Sequence, residues 1–186
     1  MFTYQIDEEI SLALPRPKLD AQPLFELVDE SRSELAPWLP WVPKMQAAAD
    51  EEAFLTTVVQ HFATGESLNV VILYQGQTAG MISFNRFNPL AQSTEIGYWL
   101  GTKYSHKNIM HRAVAGMCAI GFQDYQVNKI VIEAAVENAP SNQVAKKAGF
   151  HLDGTMRANE LLADGYHDGN VWSLLRSDWE KREEKR

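Results

Sequence analysis

The sequence predicts a mixed α/β (α+β) fold in which a mostly antiparallel sheet is covered by helices on both faces. Three observations carry this. Two pairs of β-branched and aromatic runs are joined by the turn dipeptides Gln75-Gly76 and Asp164-Gly165, which predicts a hairpin toward each end. Between them, helical spacing alternates with a short strand-like run, as in a β-α-β unit. No repeat, low-complexity tract or linker interrupts the 186 residues, and 45% of them are hydrophobic, so one domain over 1–186 with one sizeable core is expected.

Taken in order, residues 6–14 could supply an edge strand. Trp38 and Trp41 then lie among Pro23, Pro37, Pro40 and Pro43, a stretch expected to hold no long helix. These tryptophans are either core plugs or the wall of a substrate cleft, and core is the commoner outcome. Over residues 50–62, Phe54, Leu55, Val58, Val59 and Phe62 recur at helical spacing behind Asp50, a candidate N-cap. Residues 69–74 and 78–84 read as paired strands, and 94–100 as a third. The third carries Gly97 in its interior, where glycine weakens a strand unless a bulge or a close backbone approach requires it. Ile109, Ala113, Met117 and Ile120 mark a helix, 129–136 a strand, and 141–148 a short helix stopped by Gly149. Strands over 155–162 and 166–175 complete the chain.

Composition excludes several functions. The longest apolar stretch, 113–122, is far shorter than the ~20 residues that cross a bilayer, so no membrane role is expected. The first residues show neither a basic nor an apolar signal segment, which points to the cytoplasm. One cysteine, Cys118, cannot pair internally, and the five histidines lack ligand spacing, so no metal is expected. A formal charge of −7 with scattered basic residues disfavours direct nucleic-acid binding.

Several motifs in fixed order are more specific. Thr94-Glu95-Ile96-Gly97-Tyr98-Trp99-Leu100 precedes a helix start; Asn138-Ala139-Pro140-Ser141-Asn142-Gln143-Val144-Ala145 and Gly149-Phe150 follow. Together with Ser83-Phe84-Asn85-Arg86 and Asn159-Glu160, this set closely resembles the Rim-type branch of the GNAT N-acetyltransferases, from about Gly80 through the final hairpin. The resemblance implies the acyl-coenzyme A N-acyltransferase fold. In it the strand holding Gly97 bulges and splays from the 129–136 strand, and the pantetheine arm of acetyl-coenzyme A enters the opening against backbone amides near Gly97, Tyr98, Trp99 and Leu100. It further implies acetyl transfer to a primary amine, the N-terminal α-amine of a ribosomal protein above all, and a homodimer.

That chemistry needs a neutral amine, a polarised carbonyl and protonation of the leaving thiolate. An α-amine of pKa ~7.8 costs about 1 kcal/mol to deprotonate at pH 7, against about 4.6 kcal/mol for lysine, so one carboxylate acting through water suffices. By resemblance, Glu160 is the general base and Ser141 the general acid, with Glu95 as alternative base. Read alone, Ser141 is an N-cap of the 141–148 helix, Glu160 a solvated strand residue and Glu95 half of a cross-strand ion pair. Asn138 and Asn142 match cofactor-binding positions, Asn138 also being an ordinary turn former; Asn85, Arg86 and Trp38 are candidates for the acceptor cleft.

The loop that would hold the pyrophosphate departs from the family. Its positions are Ser105-His106-Lys107-Asn108-Ile109-Met110, with His106 and Asn108 where glycines let backbone N–H groups close around phosphate. Asn tolerates positive φ better than most residues, and His106, Lys107, His111 and Arg112 could donate through their side chains. Two further functions stay open: acetylation of a small amine such as a polyamine or drug, and a degenerate acyl-coenzyme A binder.

Overall fold

A computed structural model describes residues 2–184 of the chain. Its strands are β1 (Thr3–Gln5), β2 (Ile10–Ala13), β3 (Leu68–Tyr74), β4 (Gln77–Asn88), β5 (Ser93–Leu100), β6 (Lys129–Ala135), β7 (His151–Leu162) and β8 (Gly165–Leu175). They form one sheet in the order β1-β2-β3-β4-β5-β6-β8-β7, antiparallel throughout except for the β5–β6 pair. The helices are α1 (Pro17–Glu30), α2 (Arg32–Leu35), α3 (Ala48–Thr64), α4 (Ile109–Gln123), α5 (Ala139–Lys147) and α6 (Arg176–Glu183). None of the described helices is long and apolar enough to cross a membrane.

Alternation along the strands divides the core in two. Val70, Ile72, Ile82, Phe84, Ile96, Ile130 and Ile132 face one way and bury Ile109, Ala113, Val114 and Met117 of α4. Val71, Met81 and Trp99 face the other way, against Leu24 and Val28 of α1 and Leu55 and Val58 of α3. The expected helices on both faces follow from this division.

The N-terminal third departs most from expectation. Strand β2 lies within the anticipated 6–14, but β1 was not foreseen. Helix α1 runs through Pro23, although the proline-bearing stretch argued against a long helix. An interior proline costs about 3 kcal/mol. The buried faces of Leu24, Leu27 and Val28 contribute about 2 kcal/mol each, so packing wins. Asp50 is not the N-cap of α3. The helix begins at Ala48 with Ala47 as its N-cap, and from the third helical position the Asp50 carboxylate reaches back to accept from the N–H groups of Gln46 and Ala47, both at 2.9 Å. One turn of the same face carries Glu51, only 1% exposed and without a partner for Oε1, so burial alone pushes its carboxyl up to about 7.

Candidate active site

Two strands part to make the site. β5 and β6 pair only over Ser93–Glu95 and Lys129–Val131; beyond Glu95, residues 96–100 have no partner in β6. The anticipated splay is therefore present, but the bulge lies elsewhere. Phe84 pairs Ile96 and Phe87 pairs Thr94, which puts the extra residue at Asn85–Arg86 of β4, opposite Glu95, and leaves the strand of Gly97 regular. The bulge turns Asn85 across the sheet face. Its Nδ2 donates to Glu95 Oε1 at 2.8 Å, and its Oδ1 accepts from Ser83 Oγ at 2.7 Å. A Cβ at position 97 would stand 2.8 Å from Asn85 Oδ1, so glycine here lets the Asn85 amide hold its place between Ser83 and Glu95. Glu95 thus bonds an amide and not a cation. Arg86 is exposed beside it, its carbonyl taken by Thr94 Oγ1 at 2.8 Å.

A second irregularity brings in Glu160. Between Met156 and Glu160, β7 carries two more residues than β8 does between His167 and Gly169. Ala158 absorbs the excess at φ 52°, held by its N–H donating to Asp168 Oδ1 at 2.9 Å. Asn159 and Glu160 are thereby aimed at β6. Asn159 Nδ2 donates to Glu133 Oε2 at 2.7 Å and lies 3.5 Å from Glu160 Oε1. Gly169 makes room, since a Cβ there would meet Asn159 Cβ at 3.0 Å and Glu160 Cγ at 3.3 Å. Half-burial raises the Glu160 pKa, with help from the charges of Glu133 and Glu95 and opposed by the Asn159 bond. Three carboxylates from β5, β6 and β7 therefore meet where the sheet opens. Glu133 was missed in the sequence; its one signal was a carboxylate in the middle of the apolar run of β6.

Across the opening stands α5. Its N-cap is Asn138, whose Oδ1 accepts from the Ser141 N–H at 3.2 Å; Ser141 is the third helical residue and caps nothing, because Pro140 lets the helix start earlier. Freed from capping, the Ser141 hydroxyl lies 2.9 Å from Tyr98 Oη, which also reaches the Ser141 carbonyl at 3.2 Å. Asn142 has a different task. Its Nδ2 donates to the carbonyls of Ala135 and Asn138, and its Oδ1 accepts from Asn170 and Trp172, which uses every hydrogen-bonding position of the amide to hold α5 on β6 and β8. Trp99 and Leu100 turn their side chains into the two cores. Of the two upstream tryptophans, Trp41 stacks edge-on against Trp99 with centroids 6.1 Å apart, whereas Trp38 stays half-buried outside both described cores.

The loop before α4 keeps glycine-like backbone without glycine. Ser105 is extended, His106 has φ 62°, and Asn108 has φ 58° and ψ 22° as the N-cap of α4, with no side-chain cap bond. The first N–H groups of α4 have no intrahelical partner, as at any helix start, and can take up phosphate oxygens. The side chains of Ile109 and Met110 are buried, which leaves only their backbone to face a ligand. The expected side-chain help is largely absent. Arg112 pairs with Asp7 and Glu9 at 3.0 and 2.9 Å, Lys107 Nζ sits over the rings of Tyr74 and Tyr104, and His111 Nε2 lies 3.1 Å from the Lys147 carbonyl. Only His106 is left without such a partner among those described.

This geometry, an opened parallel pair beside a helix start with free N–H groups, has relatives. Residues 10–151 match the acetyltransferase (GNAT) domain. The chain belongs to the GNAT acetyltransferase family. It is 31% identical over 154 residues to the ribosomal-protein-serine acetyltransferase of Escherichia coli (strain K12), covering 83% of this chain and 86% of that protein. It is 30% identical to YdaF of Bacillus subtilis (strain 168), over 97% of this chain and 98% of that protein. Among solved structures, the microcin C7 self-immunity acetyltransferase MccE, in complex with acetyl-CoA and AMP, superposes with a TM-score of 0.86 at 27% identity, covering 91% and 94% of the two chains. RimL bound to coenzyme A shares the fold with a TM-score of 0.90 at 23% identity, covering 95% and 99%. The chain is accordingly an acetyl-coenzyme A-dependent N-acetyltransferase, which sets aside the degenerate binder. The residues present fit the donor: the unpaired β5 edge suits an extended arm, and the two left-handed residues before α4 present N–H groups to phosphate.

Proposed function

We propose that the enzyme acetylates a protein N-terminal α-amine, with Glu160 as the base. Acetyl-coenzyme A supplies the acetyl group as a thioester. Glu160, through a water, takes the proton of the incoming ammonium, and its raised pKa brings it nearer the α-amine's own ~7.8. Asn159 fixes the carboxylate while bonded to Glu133. The N–H of Tyr98, which the parity of the β4–β5 ladder turns away from β4 and toward the opening, polarises the carbonyl, and the Ser141 hydroxyl donates toward the departing sulfur. The observation that carries this reading is the β7 bulge, which spends a left-handed Ala158 on aiming Glu160 at the opening. The test is Glu160→Gln. Turnover should fall at least tenfold while calorimetric acetyl-coenzyme A binding stays within twofold; a matching loss of donor affinity would remove Glu160 from the base role.

A second reading has its own support. Glu95, Glu133 and Glu160 concentrate negative charge at the acceptor side, which suits a polycationic small amine as well as a peptide terminus.

A further inference from the structure

On the proposed function Ser141 meets the departing sulfur, and a hydroxyl that rotates freely is a poor hydrogen-bond donor in a transition state, because its orientation must be fixed at that moment. Something has to hold it. The nearest group is the phenol of Tyr98, which crosses the opening from β5 to α5. We infer that Tyr98 is a positioning residue for the transfer step: its hydroxyl holds the Ser141 hydroxyl so that the serine proton points at the leaving sulfur. This rests on the reading of Ser141 given above.

Hydrogen counts decide which way the serine proton points. Tyr98 Oη carries one proton and has two neighbours, the Ser141 carbonyl at 3.2 Å, which only accepts, and Ser141 Oγ at 2.9 Å, which accepts or donates. When the phenol donates to the carbonyl, the serine proton is drawn to Oη and points away from the opening. When the phenol donates to Oγ, the serine proton is released outward. A negative sulfur next to Ser141 favours the second arrangement, and the two interconvert by rotation of two hydroxyls with no heavy atom moving. Burial keeps the phenol protonated, its pKa pushed up to about 12 and opposed only by the Ser141 bond. That lies above the ~8.5 of an ordinary thiol, so the pair stabilises a thiolate by hydrogen bonding and does not surrender a proton to it. The balance is complete: the N–C bond forms, the C–S bond breaks with its electron pair on sulfur, and the amine protons leave toward Glu160 and water. The charges around the phenol do not interfere. Glu95 and Glu133 have the opposite strand parity and face the α1–α3 side, and His111 of α4 lies at the far end of α5, against the Lys147 carbonyl.

The test uses Tyr98→Phe, which keeps the ring and removes only the hydroxyl. Two readouts apply. The first is the pH dependence of binding for coenzyme A against desulfo-coenzyme A by calorimetry. In the wild type, coenzyme A should gain affinity between pH 7 and 9 relative to the sulfur-free control, as the bound thiol ionises early, and both Tyr98→Phe and Ser141→Ala should abolish most of that gain. The second is a double-mutant cycle on kcat, in which Tyr98→Phe lowers turnover about tenfold alone and less than twofold in the Ser141→Ala background. If Ser141→Ala loses activity while Tyr98→Phe does not, the tyrosine is structural and this inference fails alone. If Ser141→Ala keeps full turnover and the pH-dependent gain, the serine reading fails and takes the inference with it. Additive losses in the cycle, or an unchanged thiol effect in Tyr98→Phe, also overturn it.

Discussion

The acceptor end and the phosphate end of this site reach their geometry by opposite routes. At the acceptor end the backbone is bent by bulges so that particular side chains converge: Asn85 on Glu95 from β4, and Asn159 and Glu160 on Glu133 from β7. At the proposed phosphate end Lys107, His111 and Arg112 are engaged elsewhere and the backbone is the proposed ligand, with His106 and Asn108 both left-handed. Chemistry needs residue identity, whereas anion binding by N–H groups needs shape. The family glycines at the second end are thus a cheap means to a shape, and another residue serves if the surroundings enforce it.

This contrast can be broken most severely at Gly169. Gly169→Ala would drive a methyl into Asn159 and Glu160, and since its φ is not left-handed the strand itself tolerates alanine. The base is displaced by a few tenths of an ångström or more, and kcat should drop about tenfold with the thermal midpoint little changed. Unchanged turnover in steady-state assays would mean that the bulge does not aim Glu160.

Glu133→Gln sharpens the same end more gently. The Glu160 pKa is raised first by burial and then by the charge of Glu133, so neutralising Glu133 lowers it. A general base works when deprotonated, and the acidic limb of kcat/KM should therefore move to lower pH, with a change of a few-fold at its plateau. A limb that moves up or stays fixed would separate Glu133 from the base.

The smallest effect is expected at the phosphate end. Because His106 and Asn108 already hold positive φ, the double change His106→Gly and Asn108→Gly relieves about 1 kcal/mol of strain per residue but creates no new N–H donor. Relief and the added flexibility of glycine nearly offset. Acetyl-coenzyme A affinity should shift less than threefold by calorimetry. A tenfold tightening would show that the resident side chains obstruct the loop, and a tenfold loss that His106 binds phosphate directly.

Much of this was legible in the sequence, for reasons that differ by region. The strands and α4 announced themselves because alternation and helical spacing are periodic signals that packing reinforces, and the motif around Gly97 marked the splay. Helix α1 was not legible, because Pro23 is a strong local veto that only tertiary burial of Leu24, Leu27 and Val28 overrides. The cap of α5 fell to Asn138 and not to Ser141 because a helix start can move by three residues at no visible cost in sequence. Glu133 and the Tyr98 hydroxyl escaped notice since their meaning lies in long-range partners: Asn159 26 positions away, and Ser141 43 positions away. The Gly97 bulge was assigned to the wrong strand for a related reason. A glycine signals close approach, and here what approaches is Asn85 from the bulged neighbour.

The central claim is that the acceptor end is built for an α-amine. It is tested most directly by following thiol release from acetyl-coenzyme A with three acceptors at pH 7: a short peptide with a free serine N-terminus, the same peptide N-terminally blocked and carrying one lysine, and spermidine. Deprotonation alone favours the α-amine over a lysine by about 3.5 kcal/mol, more than a hundredfold in available nucleophile. The free N-terminus should give kcat/KM at least tenfold above both others. Equal rates for the blocked lysine peptide, or a preference for spermidine, would contradict it.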